Sequence, residues 1–322
     1  MAKIVTIGGG TGTFVVLSGL RRLPGVSLSA IVTMADDGGS TGHLRDAYGI
    51  LPPGDARQAL VALAEDGNVL RDLFAYRFTK SDIKGHNLGN LFITALTDLL
   101  GSDAAALEEA SRILRVCGTV IPATATPGVL VATLKDGSEL RNEHVISIHE
   151  QGRSPIEKFA LDGNPPLTEK AKDAIEAADL IILGPGHLYS SSIAALLPDG
   201  MKESIAASKA RLVYILNLFT ISGQTEGFTA RKHVAEIAKY AGREPDVILM
   251  NDNGMRKEVL EHYAASGEYP PEDDFLPADA RVRRLPLVST YTVAPIANDP
   301  LQRSFIRHDS AKIAAAIQSL LA

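Results

Sequence analysis

The stretch most suggestive of chemistry comes first in the chain, KIVTIGGGTGTF, residues 3 to 14. Gly8, Gly9, Gly10 and Gly12 crowd into five positions, with Thr11 and Thr13 between and after them. Glycines at such a density let a backbone turn tightly and let a ligand approach amides that no Cβ shields. Where a helix follows, its free N–H groups and positive dipole end favour an anion, most often a phosphate. Gly9, Gly10, Thr11 and Gly12 are therefore candidate phosphate contacts, with a tight packing turn as the plainer alternative. The turn is not a Walker A loop, because no Gly-Lys-Ser/Thr follows. A G-x-G-x-x-G frame started at Gly8 meets Thr13 where its third glycine belongs, which disfavours an NAD(P)-dependent oxidoreductase.

A second polar, glycine-rich run, MADDGGSTGHLRDAYG, carries Asp36, Asp37, Ser40, Thr41 and Arg45. The acidic pair has three readings: a solvated turn, a ribose-binding acid at Asp36, or one Asp holding Mg²⁺ beside substrate phosphates. Adjacent residues on an extended chain point in opposite directions, so both cannot easily ligate one ion. Asp37 is assigned to the cleft, as the metal ligand and, if the protein is an enzyme, its catalytic group. Gly38 to Gly42 match the G-x-S-x-G nucleophile elbow, but follow only the second strand and two carboxylates that would disfavour an oxyanion. Ser40 and Thr41 read better as hydroxyl donors to phosphate. Three further loops hold candidates: His86, Asn87 and Asn90 in GHNLGN, Gly184, Gly186 and His187 in GPGHLYSSS, and Asn217 and Thr220 in NLFTISGQTEG. Helix capping is the competing role for Asn87 and Asn90. None of the eight histidines forms an HExxH or other i,i+4 pair.

These loops need a scaffold, and the apolar pattern supplies one. Lys3 to Ile7, Leu28 to Thr33, Ala178 to Leu183, Arg211 to Leu216 and Asp246 to Met250 read as buried strands, separated by helical patterns such as Thr13 to Leu23 and Asp103 to Leu114. The glycine turns, Asp36 to Gly42, Gly184 to His187 and Asn217 to Gly223 each follow a strand's C-terminal end. In a parallel sheet those ends share one edge, where open α/β folds bind ligands. The expected fold is Rossmann-like α/β, a single domain over 1–322 with a mostly parallel sheet flanked by helices. Residues 118–162 are rich in β-branched residues and place Asp136-Gly137 between two runs, which predicts a small antiparallel β insert.

With 322 residues, 45% apolar and 22% charged, the chain has the composition of an ordinary globular protein. A net charge of −6 without a polybasic run argues against a nucleic-acid or membrane partner. The single cysteine, Cys117, excludes an intrachain disulfide and is expected in the core. No apolar stretch reaches membrane-spanning length, and a strand begins too early for a signal peptide, so a cytoplasmic location is expected.

Taken together, GGGTG, ADDGGSTG followed by LR, PPGDAR, GHNLGN, LGPGHLYSSS and YILNLFTISGQTEGFTA resemble the YvcK-like gluconeogenesis factors, within the superfamily of 2-phospho-L-lactate transferase (CofD-like). The resemblance runs in order from about residue 3 to 254. It implies a Rossmann-like fold that binds a nucleotide diphosphate or a UDP-sugar, UDP-N-acetylglucosamine in this branch. It also implies a regulatory role in growth on gluconeogenic carbon sources and in cell-wall morphogenesis. The transferase branch implies Mg²⁺ and joins a phospholactyl-guanosine diphosphate to a deazaflavin alcohol. The residues carried over are Gly9, Gly10, Thr11 and Gly12 for phosphate, Asp37 for metal or substrate, and Asn90, Gly186 and Asn217 for the nucleotide. His43 stands where the branch has Arg, and His187 where it has Ser. A homo-oligomer, at its simplest a dimer, is the expected assembly.

Overall fold

The computed structural model describes residues 1–252, 254–292 and 304–321. The chain opens with β1 (Ala2–Gly8), α1 (Gly10–Leu20) and β2 (Val26–Val32), followed by five helices: α2 (Gly39–Tyr48), α3 (Gly54–Leu63), α4 (Val69–Ala75), α5 (Leu88–Leu100) and α6 (Asp103–Leu114). Next come β3 (Thr119–Pro122), β4 (Leu130–Leu134), β5 (Glu139–Arg141), α7 (Glu143–Ile146), β6 (Ile156–Leu161) and α8 (Glu169–Glu176). The last third holds β7 (Leu180–Leu183), a π-helical turn (Leu188–Ile193), α9 (Met201–Ala207), β8 (Arg211–Ile215) and α10 (Ala230–Ala241). It closes with β9 (Val247–Asn251), α11 (Lys257–Ala264), β10 (Val282–Leu285) and α12 (Ser310–Leu321).

Seven strands form one sheet in the order β10-β9-β8-β7-β1-β2-β3, every pairing parallel. Its inner strands are short apolar runs because helices cover both faces, and alternate residues enter opposite cores. Val5, Ile7, Ile181, Leu183, Leu212 and Tyr214 face one side with α8, α9 and α10. Ile4, Leu180, Ile182, Val213 and Ile215 face the other with α1, α3, α6 and α12. Gly19 lets α12 close on α1, since a Cβ there would lie 2.1 Å from the Ser310 carbonyl oxygen. Strand numbering runs outward in both directions from the β1–β7 pair, which is the topological switch point where open α/β sheets hold their ligands.

The α/β architecture follows the expectation, with several local differences. The small antiparallel sheet, β5-β4-β6, spans residues 130–161, and Asp136-Gly137 sits at its hairpin. Thr119–Pro122, read as part of that insert, is instead the edge strand of the main sheet, pairing Ser29 with Thr119 through Val32 with Pro122. β-branched residues suit both sheet types, so composition alone did not separate them. Helix α1 starts at Gly10 rather than Thr13, so the glycines form its first turn. The run after β2 is not all loop: it becomes α2 from Gly39. Cys117 is exposed rather than buried, its amide bonded to the Leu63 carbonyl where α6 leads into β3. No described helix is long and apolar enough to cross a membrane.

Candidate functional site

A cleft of about 530 Å³ opens at the C-terminal edge of the sheet, over the β1–β7 junction. Gly10, Thr11 and Gly12 line it at one end. Gly12 is needed by the protein itself, because a Cβ there would stand 1.9 Å from the Pro185 carbonyl oxygen and wedge apart α1 and the loop after β7. Gly9 likewise makes room for Asp55, whose Oδ2 lies 2.3 Å from the place of its missing Cβ. Gly10 differs: at φ +65° it needs a left-handed backbone, and its missing Cβ would meet only Ser191 Oγ, at 3.6 Å. Its amide donates to Asp55 Oδ1 over 2.8 Å. The α1 N-terminus, expected to be open for phosphate, thus already holds a carboxyl of the chain.

The acidic pair divides as an extended backbone requires, but with sides exchanged. Asp36 lines the cleft, accepting the Gly38 amide and the Thr41 hydroxyl. Asp37 turns away, its Oδ1 accepting the His144 amide at 2.9 Å and lying 3.1 Å from His144 Nδ1. Its side chain is only 3% exposed. Orientation into the cleft therefore belongs to Asp36, because α7 covers Asp37 from the other side.

Asp55 and Glu143 join Asp36 at this end. Removal from water pushes the Asp55 carboxyl up, and the neighbouring charge of Asp36 raises it further; Asp36 is itself raised, first by burial. Glu143 is pushed up to about 7, mainly by burial and then by Asp36, while the Ser147 hydroxyl donates to its Oε1 at 2.6 Å. Arg57 supplies compensating charge and donates through Nε to Asn90 Oδ1 at 2.8 Å.

The remaining expected residues fall into two groups. Asn87, Gly186, His187, Asn217 and Thr220 line the cleft together with Gly10 to Gly12. Asn87 also caps α5 by accepting the Asn90 amide at 3.2 Å, which starts that helix at Leu88. Asn217 ties two loops, accepting from Tyr214 Oη at 3.1 Å and donating to the Gly186 carbonyl. Thr220 Oγ1 accepts the Tyr269 amide at 3.0 Å. The second group lies behind the wall: Ser40 pairs with His86 Nδ1 at 3.1 Å, and Asn90 donates to Thr41 Oγ1 at 3.3 Å. Gly184, at φ +70°, shapes the turn after β7 from behind. Burial lowers His187 to about 4, so its ring is neutral at pH 7.

Another part of the cleft's lining is aromatic. Phe219 and Tyr263 stack with centroids 3.8 Å apart and planes 15° off parallel, beside His262 and Phe305. Asp55, Glu143, His149, Tyr263 and Glu268 were not legible as site residues in the sequence. Asp55 did carry a signal within PPGDAR, but it reads as a helix start. The others reach the cleft from the antiparallel insert and from α11 and its following loop, where no local motif marks them.

This is an α/β protein whose cleft at the strand ends is lined by glycine loops, carboxylates and a stacked ring pair. The chain belongs to the CofD family: the profile described as 2-phospho-L-lactate transferase CofD matches residues 4–292. A Thermotoga maritima protein is 38% identical over 319 residues, 99% of each chain. A gluconeogenesis factor of Bacillus subtilis is 36% identical over 321 residues, 99% of this chain and 98% of that one. The crystal structure of a UPF0052-family protein from Bacillus halodurans superposes with a TM-score of 0.88 at 35% identity, covering 99% of this chain and 100% of the other.

Proposed function

We propose that the cleft binds a nucleotide diphosphate of the UDP-sugar type and that the protein acts as a nucleotide-sugar-responsive factor. On this reading it serves growth on gluconeogenic carbon sources and cell-wall morphogenesis in the cytoplasm. The observation that carries it is the mixed lining of one cleft, which brings together the α1 glycines, polar side chains and the Phe219–Tyr263 ring pair. The volume, about 530 Å³, lies within the range of small-molecule sites. A ligand of micromolar affinity has about −8 kcal/mol of binding free energy, within reach of such contacts without chemistry. The test is thermal melting and calorimetry: UDP-N-acetylglucosamine raises the melting temperature and NADH does not. Equal shifts with both, or none with either, would refute it.

A second reading is Mg²⁺-dependent transfer on a nucleotide diphosphate, favoured by the convergence of Asp36, Asp55 and Glu143. Among the described residues no group of three His, Cys, Asp or Glu side chains is arranged to hold a metal alone. Mg²⁺ is usually held by one or two carboxylates with substrate phosphates and water completing its shell, and the oxygen donors of Asp36 and Asp55 fit that pattern. Bound there, the ion would neutralise charge on a transferring phosphate. Glu143, poised near neutrality, would take or give a proton in the same end of the cleft. Steady Mg²⁺-dependent release of nucleotide that Asp36→Asn eliminates would put this reading first.

A further inference from the structure

The lining of the cleft includes a carboxylate–imidazole pair that none of the glycine motifs predicts. His149 Nδ1 sits 2.9 Å from Glu268 Oε1, and both residues line the cleft. The Glu268 side chain is 6% exposed and that of His149 27%, so the carboxylate is the buried member and the ring the facing one. Glu268 Oε1 also receives the Ser222 amide, at 3.4 Å. An oxygen that accepts from a backbone N–H is acting as an acceptor, and an ionised carboxylate has only acceptor capacity. Where that carboxylate is ionised, the Nδ1 that faces it at 2.9 Å carries the ring's proton. In the neutral imidazole the other nitrogen, Nε2, is left with a lone pair. Among the described residues none bonds to Nε2, which leaves that nitrogen of a cleft-lining ring available to a ligand.

The position of the pair says which part of a ligand that is. On one side His149 neighbours His187, with ring centroids 6.3 Å apart. His187 follows Gly186, which packs against Gly9 and Gly12 at the phosphate end. On the other side the Glu268 amide donates to the Tyr263 carbonyl over 3.1 Å, tying it to the aromatic end. A nucleotide spanning both ends has its ribose in between. A lone pair repels an ionised phosphate oxygen and accepts from a hydroxyl, so the chemistry of Nε2 matches a sugar hydroxyl.

We propose that His149 reads the ribose hydroxyls of a bound nucleotide, with Glu268 as the positioning residue that fixes its tautomer. This rests on the nucleotide reading of the cleft and adds a selection for ribose to it. One neutral hydrogen bond contributes about 0.5–1.5 kcal/mol, which is a factor of roughly 2 to 12 in affinity.

The experiment compares UDP with 2′,3′-dideoxy-UDP by calorimetry on the full chain, and reads the ring proton by long-range ¹H–¹⁵N spectroscopy in mildly alkaline buffer. Wild type is expected to prefer UDP over the dideoxy compound by roughly 2- to 12-fold. His149→Phe, checked for native circular dichroism, should erase that preference while leaving the dideoxy affinity unchanged. The spectrum should show the His149 proton on Nδ1, moving toward Nε2 in Glu268→Gln, where the partner no longer demands a donor. A wild-type proton on Nε2, or equal weakening of both ligands by His149→Phe, overturns the proposal. Wild type that binds neither compound refutes the nucleotide reading of the cleft, and the ribose assignment with it.

Discussion

The bond from the Gly10 amide to Asp55 decides how the first glycine run must be understood. A glycine needed for close approach looks the same in sequence whether a ligand or the protein itself does the approaching. Gly9 and Gly12 are spaces taken by Asp55 and Pro185, and only Gly10 faces room that a ligand could use. Asp55 has a pH consequence whose sign is fixed. Burial raises its folded value above the ordinary carboxylate range, to about 8, so between the two values the folded state holds a proton the unfolded state has lost. Its contribution to stability is full at low pH and is lost as pH rises through the folded value. Asp55→Asn keeps an acceptor for the Gly10 amide and cannot ionise. It should therefore melt above wild type at pH 8 and above, with the gap narrowing as pH falls toward 4. A gap that is constant from acid to alkaline buffer would mean that Asp55 does not titrate in this way.

At the scale of elements, regular periodicity was readable and capping chemistry less so. α6 runs from Asp103 to Leu114 as its pattern predicts, with Ser102 capping the Ala105 amide. α2 was missed because Gly, Ser, Thr and Asp favour turns in isolation. Here Gly42 lies so close to Asp37 that a Cβ would meet its carbonyl oxygen at 2.2 Å, and the amides of Thr41 and Gly42 close the first turn on the Gly38 carbonyl. The segment after β5 was out of reach of any local reading. It brings Glu143, His144, Ser147 and His149 to the site, and its tie to Asp37 joins residues 107 positions apart. Asp37 is thus a clasp on that segment. A hydrogen bond contributes about 0.5–1.5 kcal/mol, so Asp37→Ala should speed hydrogen exchange at the part-buried His144 amide by roughly 2- to 12-fold while leaving β1 protected. Unchanged exchange at residues 143–149 would show that the clasp holds nothing.

For the molecule as a whole, the α/β class was legible because its inner strands are unbroken apolar runs between helical patterns. The order of strands was not, since no residue in β1 announces that its neighbours are β2 and β7. Nor was β10, whose VRRL carries two arginines on an edge strand and lacks an apolar run. The strand order implies a seam. Everything on one side of β1, through β2 and β3, comes from the first 122 residues, and everything from β7 to β10 comes from residue 180 onward. β1 on β7 and α12 returning to α1 close across it, and a cut in the β4–β5 hairpin would also part β4 from β5 and β6. A chain severed at the Asp136-Gly137 hairpin would therefore leave two pieces, each with a bare apolar edge that only the other can cover. Co-expressed as separate polypeptides, 1–136 and 137–322 should co-purify through a tag on either one, whereas each expressed alone should be insoluble. Either piece purifying alone as a folded monomer would contradict that dependence, and the cleft, which lies on the seam, exists only where the two are joined.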